Sequence, residues 1–273
     1  MKKIILITGA SSGIGKVTAL QLLQEGHIVY GAARRVDLMN DLLEAGGHVL
    51  PLDMTLEESI VNVVKIIIKE QGRIDVLVNN AGYGLYGAVE DISIEDAKRQ
   101  FDVNLFGLAR ITQQVLPYMR AQQSGKIINI SSMGGKVYTP LGAWYHATKH
   151  ALEGWSDCLR LELKPFQIDV VIIEPGIIAT EFGKVVHSPL LKNSGKGPYA
   201  TMAKAMAKST KESYEKPGAA SPPEVIAKVI SEAINTKNPK IRYVAGKMAK
   251  TVMLLRKLLG DRIYDRLIMN IVK

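Results

Sequence analysis

The chain has 273 residues, 47% hydrophobic and 22% charged, which suits one large α/β domain with a sizeable core better than two domains. No apolar stretch approaches the roughly 20 residues of a bilayer span, and the apolar run after Lys3 stops at Thr8-Gly9, short of the 7–15 residues or so of a signal-peptide core. The single cysteine, Cys158, excludes an internal disulfide, so a reducing, cytoplasmic setting is expected, with Cys158 as a small packing residue in a helix.

In chain order, Lys3–Thr8 reads as a strand ending in a glycine-rich turn, and Gly13–Gly26 as a helix with Val17, Leu20 and Leu23 on one face. The turn, Thr8-Gly9-Ala10-Ser11-Ser12-Gly13-Ile14-Gly15, lets a pyrophosphate approach the backbone and presents a helix N-terminus to it. A second strand, His27–Ala33, ends in Arg34-Arg35 with no acid before Asp37. An acid there would accept from an NAD ribose. Two guanidiniums suit a ribose 2′-phosphate instead, so NADP(H) is expected. The alternative is a solvated arginine pair with Asp37 capping the next helix.

A short helix over Val36–Ala45 and a strand His48–Leu52 lead to Asp53 and Met54. Leu56–Glu70 is helical, Ile74–Asn79 a fourth strand, and Ile94–Arg120 one long helix interrupted near Pro117. Lys126–Ser131 is a fifth strand, Trp144–Lys164 a helix, Ile168–Glu174 a sixth strand and Ile241–Ala245 the last. Apolar strands alternating with helices predict a doubly wound, Rossmann-type, mostly parallel sheet with helices on both faces, one domain over residues 1–273. The pattern loosens after Pro175: Lys192–Pro223 is rich in Lys, Ser, Gly and Ala with four prolines, and residues 180–223 are expected to form a loop-rich substrate lid with a helix around Ala200–Tyr214.

Tyr145 and Lys149, four apart in a helix, share a face. An ammonium beside a phenol stabilises the phenolate, so the pair can give or take a proton. Ser131-Ser132, at a strand end, offers hydroxyls for a substrate oxygen. His146 and His150 have no third ligand at a metal-like spacing, and no metal is expected.

Together, Thr8-Gly-x-x-x-Gly-x-Gly15, Asp53, Asn79-Asn80-Ala81-Gly82, Asn104, Ser132, Tyr145-x-x-x-Lys149 and Pro175-Gly176 resemble the short-chain dehydrogenase/reductase family over roughly residues 2–180. The resemblance implies catalysis by Asn104, Ser132, Tyr145 and Lys149. Tyr145 would exchange the proton, Ser132 orient the substrate oxygen, Lys149 bind the nicotinamide ribose and lower the Tyr145 pKa, and Asn104 hold a relay water. It implies a cofactor site of Gly9, Ser11, Ser12, Gly13, Ile14, Gly15, Arg34, Arg35, Asp53, Met54, Asn80, Ala81, Gly82, Tyr145, Lys149, Pro175, Gly176, Ile178 and Thr180. A homodimer or homotetramer is also implied. A non-catalytic NADP(H) sensor on the same fold is the alternative, although such proteins typically lose the Tyr–Lys pair.

Tyr83, Tyr86, Tyr138, Trp144 and Phe182 could line an apolar pocket. The Tyr83–Gly87 stretch and the Arg34 loop look like the branch that includes steroid 17β- and retinol-type dehydrogenases, which implies a lipophilic ketone, aldehyde or alcohol as substrate. Charge is concentrated late in the chain. The net charge is +9, and Lys237–Lys273 holds ten Lys/Arg and two Asp/Glu, which leaves 25 basic against 24 acidic residues elsewhere. Residues 247–273 read as a basic amphipathic segment split at Gly260-Asp261. Such a segment can lie on an anionic membrane, cover the pocket or meet a partner subunit. No nucleic-acid module is recognisable and aromatic interleaving is slight, so no nucleic-acid partner is expected.

Overall fold

The computed structural model describes residues 2–272; Met1 and Lys273, the ends of the expected domain and of its basic segment, lie outside the described residues. Strands β1 (Ile4–Thr8), β2 (Ile28–Ala33), β3 (His48–Pro51), β4 (Val76–Asn79), β5 (Gly125–Ile130), β6 (Ile168–Pro175) and β7 (Arg242–Ala245) form one sheet in the order β3-β2-β1-β4-β5-β6-β7. Every neighbouring pair is parallel. The order reverses between β1 and β4, the switch point at which doubly wound sheets bind ligands.

The helices are α1 (Gly13–Gln24), α2 (Asn40–Glu44), α3 (Glu57–Gln71), α4 (Ile94–Phe101), α5 (Leu108–Gln122), α6 (Ala143–Leu163), α7 (Phe182–Ser194), α8 (Ala200–Glu215), α9 (Glu224–Asn235) and α10 (Ala249–Met269). Alternate residues of each strand enter opposite layers. Ile5 and Ile7 of β1 join α1 and α9 through Leu22 and Ile230. Ile4 and Leu6 face the other way, among Ile60 and Ile67 of α3 and Ile111 and Val115 of α5. Burial on both faces is why these strands are apolar throughout. No helix among the described residues is long and apolar enough to cross a membrane.

Several expectations are corrected. The long helix over Ile94–Arg120 is not interrupted near Pro117, which lies inside α5. It runs unbroken to Gln122 and is distorted instead at Asp102–Gly107, a π-helical turn between α4 and α5, where a Cβ on Gly107 would strike the Met54 carbonyl. The segment expected to be a lid, residues 180–223, is more helical than expected. Phe182–Ser194 is helical despite Gly183 and Pro189, because Leu190 of α7 buries with Ala203 and Met206 of α8. Tertiary burial overrides the weak local propensity. Cys158 is exposed rather than a packing residue, since α6 turns Ser156 and Leu159 inward at that level.

Candidate active site

A cleft of about 660 Å³ opens at the C-terminal ends of β1, β4, β5 and β6, lined at one end by Gly9, Ser12 and Arg34 and at the other by Ser132, Tyr145 and Phe182. Its floor follows from the β1 turn. Gly9 and Gly13 hold φ of 70° and 54°, in the left-handed region that favours glycine. A Cβ on Gly9 would lie 2.8 Å from Ala81 Cα, and one on Gly15 would strike the Gly9 carbonyl and the Asn80 amide. Asn80 locks the turn by donating from Nδ2 to the Thr8 and Gly9 carbonyls, each at 3.1 Å. Ser12 makes no side-chain cap on α1, so the first N–H groups of that helix face the cleft for an anion. The turn therefore fits a pyrophosphate.

Beside it, Arg35 Nη2 donates to Ser12 Oγ at 3.2 Å and pairs with Glu181 at 3.5 Å. Arg34 is exposed and forms no ion pair among the described residues. Asp53 accepts from the Thr55 N–H and hydroxyl at 2.9 and 2.7 Å. Burial alone would raise its pKa, but those bonds, with Arg34 and Arg99 nearby, lower it. Asp53, Met54, Ala81, Gly82, Pro175, Gly176, Ile178 and Thr180 all line the same cleft, whereas Gly15 lies behind its floor.

Tyr145 and Lys149 lie on the buried face of α6. Lys149 Nζ donates to the Ile130 carbonyl at 2.8 Å. Burial lowers its pKa to about 8, against the pull of Glu153. Tyr145 lies between Tyr86 and Phe182, with ring centroids 5.6 and 5.5 Å away. Burial pushes its pKa up to about 12, and the Ser132 hydroxyl acts in the opposite direction. In the protein alone, desolvation thus outweighs any lowering of the Tyr145 pKa by Lys149. At neutral pH Tyr145 is a phenol and Lys149 a cation.

Asn104 lies in the π-helical turn, a distortion found often at functional sites. Its Oδ1 accepts from Tyr83 N–H at 3.0 Å, and its Nδ2 donates to the Tyr83 carbonyl at 2.9 Å and to Thr148 Oγ1 at 3.1 Å. Asn104 Oδ1 and Lys149 Nζ both approach Gly82, within 3.1 and 3.9 Å of where a Cβ would stand. Asn79, the motif residue that ends β4, is buried. Its Nδ2 donates to Thr112 and Asn129, and Asn129 donates in turn to Ser156.

Of the five aromatics expected around the pocket, Tyr83, Tyr86 and Phe182 line the cleft and Tyr138 and Trp144 do not. Tyr138 turns away to Tyr264, 5.1 Å between centroids, and to Asp265. Two cleft residues escape sequence reasoning. Tyr214 of α8, 6.2 Å from the Phe182 ring, has no motif around it. His146, expected to be a packing or surface residue, accepts at Nε2 from Thr139 N–H at 3.1 Å and meets the Gly134 carbonyl through Nδ1 at 2.9 Å, tying two cleft loops together. Its adjacency to Tyr145 was the available signal. Among the described residues, no group of three or more His, Cys, Asp or Glu side chains is arranged to hold a metal ion.

Comparison with known proteins gives a concordant result. Residues 3–190 match the model of the short chain dehydrogenase family. A 3-ketodihydrosphingosine reductase of Bacteroides thetaiotaomicron is 40% identical over 259 residues, covering 93% of this chain and 92% of that protein. Among solved structures, a short-chain dehydrogenase from Streptomyces avermitilis is 34% identical with a TM-score of 0.82, covering 93% and 92% of the two chains. The closed form of a serine dehydrogenase complexed with NADP+ is 28% identical with a TM-score of 0.78, covering 90% and 95%.

Proposed function

The chain belongs to the short chain dehydrogenase family, and on that premise we propose that it is an NADP(H)-dependent oxidoreductase interconverting a lipophilic carbonyl and its alcohol. The observation that carries the reading is a single cleft joining a phosphate-binding turn and Arg34 to Ser132, Tyr145 and Lys149. The glycine turn would hold the pyrophosphate. Arg34 and Arg35 would hold the 2′-phosphate, Asp53 and Met54 flank the adenine, and Asn80 and Ala81 the adenosine ribose. Ile178 and Thr180 would meet the nicotinamide carboxamide. When bound, the nicotinamide supplies or accepts the hydride.

The chain's own residues manage the proton. Ser132 orients the substrate oxygen. In the reductive direction Tyr145 Oη gives its proton to that oxygen, and the Lys149 ammonium, four residues along the same face, stabilises the phenolate left behind. Asn104 holds the Tyr83 backbone at the cleft wall and continues the relay toward Lys149. Tyr86, Phe182 and Tyr214 make the substrate end apolar, which favours a lipophilic carbonyl. The Bacteroides relative, named a 3-ketodihydrosphingosine reductase, supports a carbonyl substrate. The paired Tyr145 and Lys149 favour an enzyme over a sensor.

Calorimetric titration of the purified protein tests the cofactor assignment. NADPH is expected to bind more tightly than NADH, and Arg34→Asp to reduce or reverse the preference. Equal affinities in the parent protein would contradict the assignment.

A further inference from the structure

Helix α10 is broken at Gly260, where φ is 65° and ψ 174°. Its two halves each turn one face to the body. In the first, Ala249 is buried while Val252, Met253, Arg256 and Leu259 are half-buried, which leaves Leu254, Leu255 and Leu258 on the outer face. Leu258 is 69% exposed and Leu254 56%. In the second half Tyr264 is buried and donates to the Tyr138 carbonyl at 3.2 Å, while Ile263 and Leu267, four apart, face out. Isolated exposed leucines are ordinary. Here, however, seven of the eighteen large exposed apolar side chains among the described residues fall within Leu254–Ile271, and clustering of that kind marks an interaction surface.

The same outer surface carries Lys250, Lys257, Arg262 and Arg266, all exposed. They belong to the late segment whose net charge is +8, against +1 for the rest of the chain. We propose that this face of α10 docks the protein on an anionic lipid surface, its leucines in the interface and its lysines and arginines on the headgroups. Apolar and cationic side chains along one helix surface are the pattern of an interfacial helix. The break at Gly260 lets each half present its own outer face. Charge decides against a second copy of the chain, because pairing this face with itself would set one strongly basic segment against another. A nucleic acid would answer the charge but leave the leucines unexplained.

The opposite, body-facing side of this segment packs beside the cleft. Helix α10 lies against the Met133–Gly135 turn, Tyr264 holds Tyr138 beside the cleft residues Val137 and Thr139, and Val272 buries among Leu190, Ala203 and Met206. If the carbonyl substrate is lipophilic, the surface would bring its reservoir to the cleft mouth, but the docking argument stands without that reading.

The test is co-sedimentation of the full chain with vesicles of phosphatidylcholine alone and of phosphatidylcholine mixed with phosphatidylglycerol. Binding is expected to the mixed vesicles only and to weaken at high salt. The double variants Leu254→Ser/Leu258→Ser and Arg262→Gln/Arg266→Gln are each expected to reduce it about tenfold or more, with thermal stability and NADPH affinity unchanged. Equal sedimentation with both vesicles, bound or unbound, would overturn the proposal, as would full binding by both variants. A fall in oligomeric mass in the leucine variant, without loss of vesicle binding, would also overturn it by making the face a subunit contact.

Discussion

Burial shifts both Tyr145 and Lys149 toward their neutral forms, which favours the phenol and penalises the ammonium. The phenol stays protonated to about pH 12, while the ammonium loses its proton near pH 8, well below the usual lysine value of about 10.4. Between those two lysine values the folded chain binds fewer protons at Lys149 than the unfolded chain, so this residue makes stability rise with pH across that window. Below it, the penalty of the buried charge is fully present. Lys149→Met removes the group and its pH dependence. In thermal melts of cofactor-free protein, the parent is therefore expected to gain stability relative to Lys149→Met from about pH 7 to about pH 10. A constant difference across the range would show that Lys149 is not held charged against its surroundings.

At the scale of elements, α6, the helix that carries Tyr145 and Lys149, is anchored from behind. Glu153, one turn beyond Lys149 on α6, is almost wholly buried and pairs with Lys136 at 2.9 Å and Arg242 of β7 at 3.1 Å. Arg242 also meets Asp157 at 2.7 Å and Glu174 of β6 at 3.7 Å. One guanidinium thus ties α6 to β6 and β7. Burial raises the pKa of Glu174 to about 7, with the nearby Glu153 adding to it and Lys136 and Arg242 opposing. Removing the arginine leaves buried carboxylates with less compensation. Arg242→Met is expected to destabilise the fold by about 3 kcal/mol in denaturant melts at neutral pH. The loss should shrink on acidification toward pH 5, as Glu174 takes up a proton more readily than an unfolded glutamate. A loss below about 0.5 kcal/mol, typical of surface pairs, would contradict this account of the anchor.

Across the whole molecule, what could be read from sequence divides by physical cause. The strands, the glycine turn, Ser132, Tyr145 and Lys149 were legible because each depends on a residue type at a local spacing: alternate burial on two faces, φ above zero, or two side chains on one helical face. The π-helical turn that carries Asn104 has no local signal in the sequence; its last residue, Gly107, packs against the Met54 carbonyl from across the fold. Helix α7 hides for a similar reason, because α7 and α8 bury each other. Tyr214 reaches the cleft only through that pairing. The late charge was legible as composition, but its placement beside outward leucines required knowing which residues α10 turns to the body.

In the proposed function two ends of one cleft do separate work: the β1 turn would bind the cofactor and Tyr145 would move the proton. Tyr145→Phe separates them most directly, measured as NADPH affinity by calorimetry beside NADPH consumption with a panel of lipophilic ketones. The account predicts turnover by the parent, and a variant with unchanged NADPH affinity whose turnover falls by about 10²- to 10⁴-fold. Turnover within a few-fold of the parent would contradict the assignment of Tyr145 as the proton donor.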